Sequence, residues 1–232
     1  MSTSERQSLV KPGMFGLTVP ADTRRWEFDL SNEALIVQGI RPDMVFIGDS
    51  ITHFWELQAY FGGERKIIIN RGISADTSEY VCKRFYADVL QLKPKLVVIM
   101  IGTNDLGWML EQLDSVNTNK TCENIEIMAG QAQAEDIKVA IGSLLPVRGP
   151  SWYPIPEFIE RKNAQIVDTN TRLKDVALNI GATYIDYHSM MVDDNGWLRP
   201  ELAEDGVHPH STGYAIMAGV LRAALSEKQM EL

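Results

Sequence analysis

The sequence predicts an α/β fold in which a parallel β-sheet is covered by helices on both faces. Five short apolar runs are rich in β-branched residues and nearly continuous, which is typical of strands buried on both faces. Segments with helical periodicity lie between them, and such alternation indicates βαβ units with right-handed crossovers. The predicted strands are residues 44–47, 67–70, 96–101, 137–141 and 182–186.

Four helices are predicted between and after these strands. The first and third show apolar residues at helical spacing, and the second is less regular. The third is expected to end before Gly181, because glycine commonly ends helices. The fourth is expected to have Ser211 as its N-cap. The predicted helices are residues 77–92, 117–134, 157–179 and 211–225.

The length and composition indicate a single domain over residues 1–232, with residues 1–40 as an N-terminal extension that packs on the core. The chain can bury one substantial core and contains no repeat, linker or low-complexity tract. Its net charge is -9 and its pI about 5.0. Because an acidic surface repels phosphate groups, nucleic acid is not an expected partner.

The location of the protein in the cell and the redox state of its cysteines are predicted from features that the sequence lacks. No apolar run is long enough to span a membrane, and the polar N-terminus lacks the apolar core of a signal peptide. These features predict a cytoplasmic protein, and a processed secreted form is the alternative. Cys82 and Cys122 lie far apart and outside any CxxC motif, so two free thiols are favoured over a disulfide.

Small and polar residues follow three of the predicted strands. The first strand leads into Gly48-Asp49-Ser50, the second into residues 70–74 and the third into residues 102–105. Ligands of parallel sheets bind outside the carboxyl ends of the strands, so these clusters are expected at one edge. A fourth cluster, DGVHP at 205–209, precedes the last helix.

Together these clusters contain the groups that acyl transfer requires. Ser50 is the candidate nucleophile and His208 the base that takes its proton. Asp205, three residues earlier, can hold the imidazole in the correct tautomer. The backbone N–H groups of Ser50 and Gly72, with the side-chain amide of Asn104, are the candidate oxyanion donors. Asp49 is read as structural, because adjacent side chains leave the backbone in different directions.

Each of these residues also has a structural explanation. Ser50 or Asn104 alone would suit a helix cap, and Gly72 alone would suit a turn. A metal site from Asp205, His208 and His210 is not predicted, because neither HExxH nor a second carboxylate cluster accompanies them. The G-x-S-x-G motif of α/β-hydrolases is absent.

Aromatic residues beyond the strand ends are candidates for a substrate pocket. Trp108, Trp152 and Tyr153 could form its wall, and the aromatic faces suit a sugar ring or an acyl chain equally. Packing at the rim of the fold is the alternative explanation.

The four blocks resemble those of the SGNH/GDSL hydrolases, named for Ser, Gly, Asn and His in separate segments. The matching segments are GDS at 48–50, the Gly72 block, GTND at 102–105 and DGVHP at 205–209, in the family's order. They are most similar to those of bacterial acylhydrolases related to platelet-activating-factor acetylhydrolase subunits. Ile51 stands where the family name has Leu, which affects no catalytic position.

The resemblance implies a flavodoxin-like, three-layer α/β/α sandwich with a five-stranded parallel sheet. It further implies ester hydrolysis through an acyl-Ser50 intermediate without metal or cofactor. The family's roles carry over to Ser50, Gly72, Asn104, Asp205 and His208. A short acyl ester such as acetyl, on a small molecule or a carbohydrate, is the favoured substrate. The alternatives are a lysophospholipase or thioesterase and a non-catalytic glycan-binding module, and a homodimer is an open alternative to a monomer.

Overall fold

Five parallel strands form the centre of the structure, a computed structural model that describes residues 9–64, 66–149 and 155–228. The strands are β1 (Met44–Gly48), β2 (Ile68–Gly72), β3 (Leu96–Met100), β4 (Lys138–Gly142) and β5 (Thr183–Ile185). Their order in the sheet is β2-β1-β3-β4-β5. β1 therefore lies between β2 and β3, and Gly48 is in register with Gly72 on one side and Met100 on the other.

Helices cover both faces of the sheet. They are α1 (Arg25–Val37), α2 (Ser50–His53), α3 (Leu57–Phe61), α4 (Ser78–Asp88), α5 (Thr118–Ala134), α6 (Pro156–Ile180), α7 (His188–Met191) and α8 (Ser211–Glu227). α1, α4, α5 and α6 lie on one face, and α2, α3, α7 and α8 lie on the other. The predicted three-layer α/β/α sandwich is confirmed.

Two hydrophobic cores explain why the strands appear nearly continuous in the sequence. Side chains alternate between the faces of a strand. In β1, Val45 and Ile47 point to the core with α4 and α5, whereas Met44 and Phe46 point to the core with α8. Burying each such side chain contributes roughly 1.5–3 kcal/mol. Both faces therefore need apolar residues.

The predicted elements lie close to the observed ones, with one correction at α8. Ser211, predicted as the N-cap, is the first helical residue, and His210 is the cap. The Nδ1 of His210 accepts the N–H of Thr212 at 3.3 Å. Gly181 ends α6 in the left-handed conformation, with φ of 70°. This conformation is one that glycine adopts readily.

The predicted N-terminal extension contains a helix, α1, that hydrophobic periodicity does not reveal. Arg25 and Asn32 are on its buried face, whereas Trp26 and Leu30 are 69% and 55% exposed. Asn32 donates to Ala87 O at 3.0 Å on α4. Phe28 is also buried, and Leu35 and Ile36 pack against the core with α4 and α5, so the inner face mixes apolar and polar residues.

Arg84 on α4 joins several parts of the fold and is fully buried. Its Nη2 donates to the carbonyl oxygens of Gly48 (3.2 Å) and Arg71 (2.9 Å), near the carboxyl ends of β1 and β2. Its Nε and Nη1 donate to Asp76 (2.8 Å) and Asp88 (2.9 Å). One guanidinium thus fixes the ends of two strands relative to α4.

Asp88 is the second centre of this network. Arg25 donates to both of its carboxylate oxygens, at 2.6 and 2.9 Å. Burial alone would raise the pKa of Asp88, but the hydrogen bond from Arg25 and the charges of Arg84, Arg25 and Arg71 lower it below the ordinary value. Asp88 is therefore ionised in the folded protein and neutralised by arginines.

Across the described residues, no helix has both the length and the apolar character needed to cross a membrane. The cytoplasmic location and the single-domain organisation stay predictions.

We expect Asp88→Asn to lower the free energy of unfolding by about 3–5 kcal/mol, because it leaves buried arginines without their counter-charge. Urea denaturation followed by circular dichroism measures this change. Glu79→Gln on the same helix is the matched control, since Glu79 forms an exposed pair with Lys83, and such pairs contribute little to stability. A change below about 1 kcal/mol for Asp88→Asn would show that the network does not hold the fold together.

Candidate active site

Ser50 lies at the junction between β1 and α2. The carboxylate of Asp49 caps α2 by accepting the N–H of Ile51 at 2.9 Å, the structural role expected of it. Gly48 permits the close packing of β1 against β3 and α2, since a Cβ there would lie 2.1 Å from Met100 O and 2.4 Å from Thr52 Oγ1. The strand therefore requires a glycine at position 48, and the turn that follows places Ser50 at the carboxyl edge of the sheet.

His208 joins Ser50 to Asp205. The Nε2 of His208 lies 2.8 Å from Ser50 Oγ, and its Nδ1 lies 2.6 Å from Asp205 Oδ2. The other carboxylate oxygen of Asp205 accepts the N–H groups of Val207 (2.9 Å) and His208 (2.8 Å). The structure thus brings together the three side chains predicted to be a nucleophile, a base and the group that orients the base.

The hydrogen bonds of Asp205 decide its charge. Burial raises its pKa, but the bonds from the backbone and imidazole of His208 and from Val207 outweigh burial and place the pKa below its ordinary value. Asp205 is therefore ionised at neutral pH. Its charge favours a proton on the Nδ1 of His208, which leaves Nε2 free to accept the proton of Ser50.

The structure gives Gly72 a different environment from the one predicted. Its N–H donates to Asn70 Oδ1 at 2.9 Å. A Cβ at this position would lie 2.2 Å from the backbone nitrogen of His53. Gly72 is thus a point of close approach between β2 and α2, and its N–H is already paired.

Ala75 is a candidate site residue that its residue type does not reveal in the sequence. It lies in a turn in which the N–H of Asp76 donates to Ile73 O at 3.2 Å. Its φ is 63°, in the left-handed region that favours glycine. An alanine gives no chemical signal in the sequence, because only its backbone N–H is available for binding.

Asn104 connects the loop after β3 to this turn. Its Nδ2 donates to Asp76 O at 2.8 Å, and its Oδ1 accepts the indole N–H of Trp108 at 2.8 Å. Both ends of the amide are therefore engaged, and one hydrogen on Nδ2 is left for a further acceptor.

A cavity of about 610 Å³ lies at this edge of the sheet, a volume suited to a small ligand. Trp108 forms part of its wall and is 39% exposed. Trp152 and Tyr153, the other predicted pocket residues, lie outside the described residues. The cavity is lined by Ala75, Thr77, Asn104, Asp105, Gly107, Trp108, Met109, Gln112 and Val116.

Several ionisable groups are buried beneath the site. Burial raises the pKa of Asp49 to about 7, and the nearby carboxylates Asp105 and Asp76 add to this effect. Burial also raises the pKa values of Asp76 and Asp105. Lys162 is fully buried, and its desolvation lowers its pKa to about 7.

The other histidines have roles outside the hydrogen-bonded set of Ser50, Asp205 and His208. His53 contacts Ser74 Oγ at 2.9 Å through Nδ1 and stacks on Phe54. The Nε2 of His188 is buried and finds no partner in the described part of the chain. In the same part of the chain, no group of three or more His, Cys, Asp or Glu residues could hold a metal ion.

Comparison with known proteins agrees with this geometry. Residues 46–216 match the GDSL-like Lipase/Acylhydrolase family. The chain belongs to this family. A carboxylic ester hydrolase is the class of enzyme that this membership indicates, and the matched range includes Ser50, Asn104, Asp205 and His208.

Individual relatives are similar over most of the chain. An acetylxylan esterase from Xylanibacter ruminicola is 26% identical over 85% of this chain and 46% of its own length. The platelet-activating factor acetylhydrolase IB subunit alpha1 of Pongo abelii is 27% identical over 79% of this chain and 75% of its own. A GDSL-like lipase structure from Bacteroides thetaiotaomicron is 33% identical with a TM-score of 0.74, covering 90% of this chain and 98% of that one. The chain spans about half the length of the first curated relatives it matches.

We expect Asp49→Asn to change stability in a pH-dependent way. Asp49 has a pKa of about 7 when folded against an ordinary 3.8, so wild type loses stability as the pH rises between these values. The amide cannot ionise, so the melting temperature of Asp49→Asn minus that of wild type should rise from pH 4 to pH 8. Thermal unfolding at several pH values measures this difference. The control is the same difference in melting temperature for Asp175→Asn, a substitution at an exposed residue. A difference for Asp49→Asn that does not change with pH would contradict the interpretation that Asp49 is a buried acid.

Proposed function

We propose that this chain is a serine ester hydrolase that removes a short acyl group, acetyl in particular, through an acyl-Ser50 intermediate. The observation that carries the proposal is the continuous set of hydrogen bonds from Ser50 Oγ through the imidazole of His208 to Asp205. Nucleophile, base and orienting carboxylate are within direct hydrogen-bond distance, the arrangement that activates a serine for acyl transfer.

The reaction proceeds in two halves. His208 Nε2 takes the proton of Ser50 as Oγ attacks the ester carbonyl, and Asp205 stabilises the imidazolium that forms. The tetrahedral intermediate collapses, and the alcohol leaves with the proton held by His208. Water then gives a proton to His208 and attacks the acyl-Ser50 carbonyl. The proton returns to Ser50 Oγ as the carboxylic acid is released.

We assign the oxyanion to the backbone N–H of Ser50, the N–H of Ala75 and the Nδ2 of Asn104. Ala75 replaces Gly72 in this role because the N–H of Gly72 is engaged by Asn70. Ala75 lines the cavity together with Asn104, and its N–H makes no hydrogen bond to another described residue. Donors fixed in this way stabilise the charge that develops on the carbonyl oxygen.

The acetyl ester of a carbohydrate is the substrate that the cavity and the relatives favour. Two relatives are named for acetyl ester hydrolysis, and one of them is named for a xylan substrate. The cavity has room for a sugar ring, and the exposed face of Trp108 suits stacking against one. A lysophospholipid or thioester substrate is the alternative within the enzyme class.

We expect a fluorophosphonate probe to label the wild type but not Ser50→Ala, because the probe reacts with an activated serine. Asn104→Ala should retain labelling and fold while its kcat falls on the order of 10²–10³, the loss expected for one oxyanion donor. Intact-mass spectrometry and ester hydrolysis measure the two effects. A wild type that is neither labelled nor active would support a non-catalytic glycan-binding module instead.

The same assay defines the acyl group. Nitrophenyl esters from C2 to C12 should be cleaved with kcat/KM greatest at C2, and acetylated xylo-oligosaccharides should release acetate. Activity that increases towards C8 or longer would exclude the short-acyl assignment and favour the lysophospholipase or thioesterase alternative.

Substitutions at Gly72 and Ala75 test the backbone geometry at these two positions. Ala75→Gly should raise the free energy of unfolding by about 1 kcal/mol, since it relieves the left-handed φ, and kcat should change less than twofold because the N–H remains. Gly72→Ala should lower kcat about 100-fold, because its Cβ would displace His53 and the helix that begins at Ser50. Denaturation and turnover measurements test both. Full activity in Gly72→Ala would contradict the close approach between β2 and α2. A large loss of activity in Ala75→Gly would contradict a role that depends only on the backbone N–H of residue 75.

A further inference from the structure

The side-chain amide of Asn104 can face the reacting oxygen only in one of its two orientations. An amide carries an acceptor at one end and donors at the other, and the two ends have nearly the same size. If the amide were turned over, Oδ1 would face Asp76 O and Nδ2 would face the indole N–H, which are two repulsive contacts. The two bonds of 2.8 Å that Asn104 makes to Trp108 and Asp76 are therefore mutually consistent.

On the cavity side, the contact that distinguishes the two orientations of the Asn104 amide comes from Trp108. Its indole N–H can only donate, so it requires the oxygen of Asn104 on its side. Trp108 lies four positions after Asn104, and the loop between them bends back through Gly107 at φ 71°. The backbone N–H of Trp108 also donates to Gln112 Oε1 at 2.7 Å, which fixes the start of the side chain.

Lys162 holds this loop from behind. Its ammonium, fully buried on α6, donates to Thr103 O at 2.7 Å and to Gly107 O at 2.5 Å. The same Nζ lies 4.0 Å from the centre of the Trp108 ring, a cation–π contact. The Nζ of Lys162 therefore fixes both ends of the loop that carries Asn104 and supports the ring that contacts its amide.

We propose that Trp108 is a positioning residue for ester hydrolysis: its indole N–H, backed by the ammonium of Lys162, keeps the Nδ2 of Asn104 directed at the oxyanion. This role rests on the proposed function and deepens it. It differs from the expected role of Trp108 as a pocket wall, because a wall contributes mainly to substrate binding, whereas an oriented oxyanion donor contributes to the transition state.

Trp108→Phe separates these two roles. Phenylalanine keeps an aromatic ring in the cavity wall and over Lys162, but it has no N–H to hold Asn104. The kcat should fall about tenfold, the change expected for the loss of one hydrogen bond, while KM stays within twofold. Trp26→Phe on α1, where the ring is 69% exposed, is the control for loss of a tryptophan and should be unchanged.

The decisive measurement repeats Trp108→Phe in the Asn104→Ala background. If Trp108 acts through Asn104, the double variant should have the same kcat as Asn104→Ala, because the amide to be positioned is gone. An equal fall in both backgrounds, a rise in KM alone or no change in kcat would each overturn the positioning role while leaving the esterase intact. A wild type without turnover or probe labelling would overturn the proposed function and this role together.

Circular dichroism and urea denaturation establish that each variant is folded. If Trp108→Phe is unfolded, Lys162→Met tests the same arrangement from the other end, because it removes the cation that fixes the loop and keeps a side chain of similar length. Lys162→Met should lower kcat when Asn104 is present and should leave kcat unchanged in the Asn104→Ala background. A fall of equal size in both would contradict the proposal.

Discussion

The site depends on one buried guanidinium. Arg84 contacts the carbonyl oxygens at the ends of β1 and β2 and the carboxylate of Asp76, whose own carbonyl accepts the amide of Asn104. The segments that carry Ser50, Ala75 and Asn104 are therefore fixed to a single rigid group on α4. Asp76 and Asp88 supply the counter-charges around it, and Arg25 pairs with Asp88 in turn, so the energetics of the network and the geometry of the site are linked.

The ionisable groups buried behind the site leave little charge without a partner. Asp49 is fully buried with a pKa near neutrality, which limits the negative charge beside Ser50. Lys162 sits under the loop after β3 with its pKa lowered by burial, and its attraction to Asp105 and Asp49 partly opposes that shift. Both side chains also hydrogen-bond to the backbone: Asp49 caps α2, and Lys162 donates to two carbonyl oxygens.

The sequence was sufficient wherever chemistry resides in the residue type. Ser50 follows from its side chain and from the rule that strand ends converge, and Asp205 and His208 follow from their side chains and their spacing. Ala75 could not be found in this way, because its contribution is a backbone N–H at a positive φ. In the sequence, Lys162 cannot be distinguished from the exposed charged residues of a helix. Only the fold shows that its Nζ donates to the carbonyl oxygens of Thr103 and Gly107. The sequence does not reveal helix α1, because its buried face mixes Arg25 and Asn32 with Phe28 while the apolar Trp26 and Leu30 are exposed.

Asp205 and His208 form a unit within four consecutive residues, held by the chain's own N–H groups, whereas Ser50 lies 158 positions away from His208. During synthesis on the ribosome, β1 and its serine emerge long before that unit does. Ser50 thus lacks its base until the segment before α8 has emerged and docked, so a shorter nascent chain carries a hydroxyl without its base. Acquisition of probe reactivity therefore reports the docking of this segment.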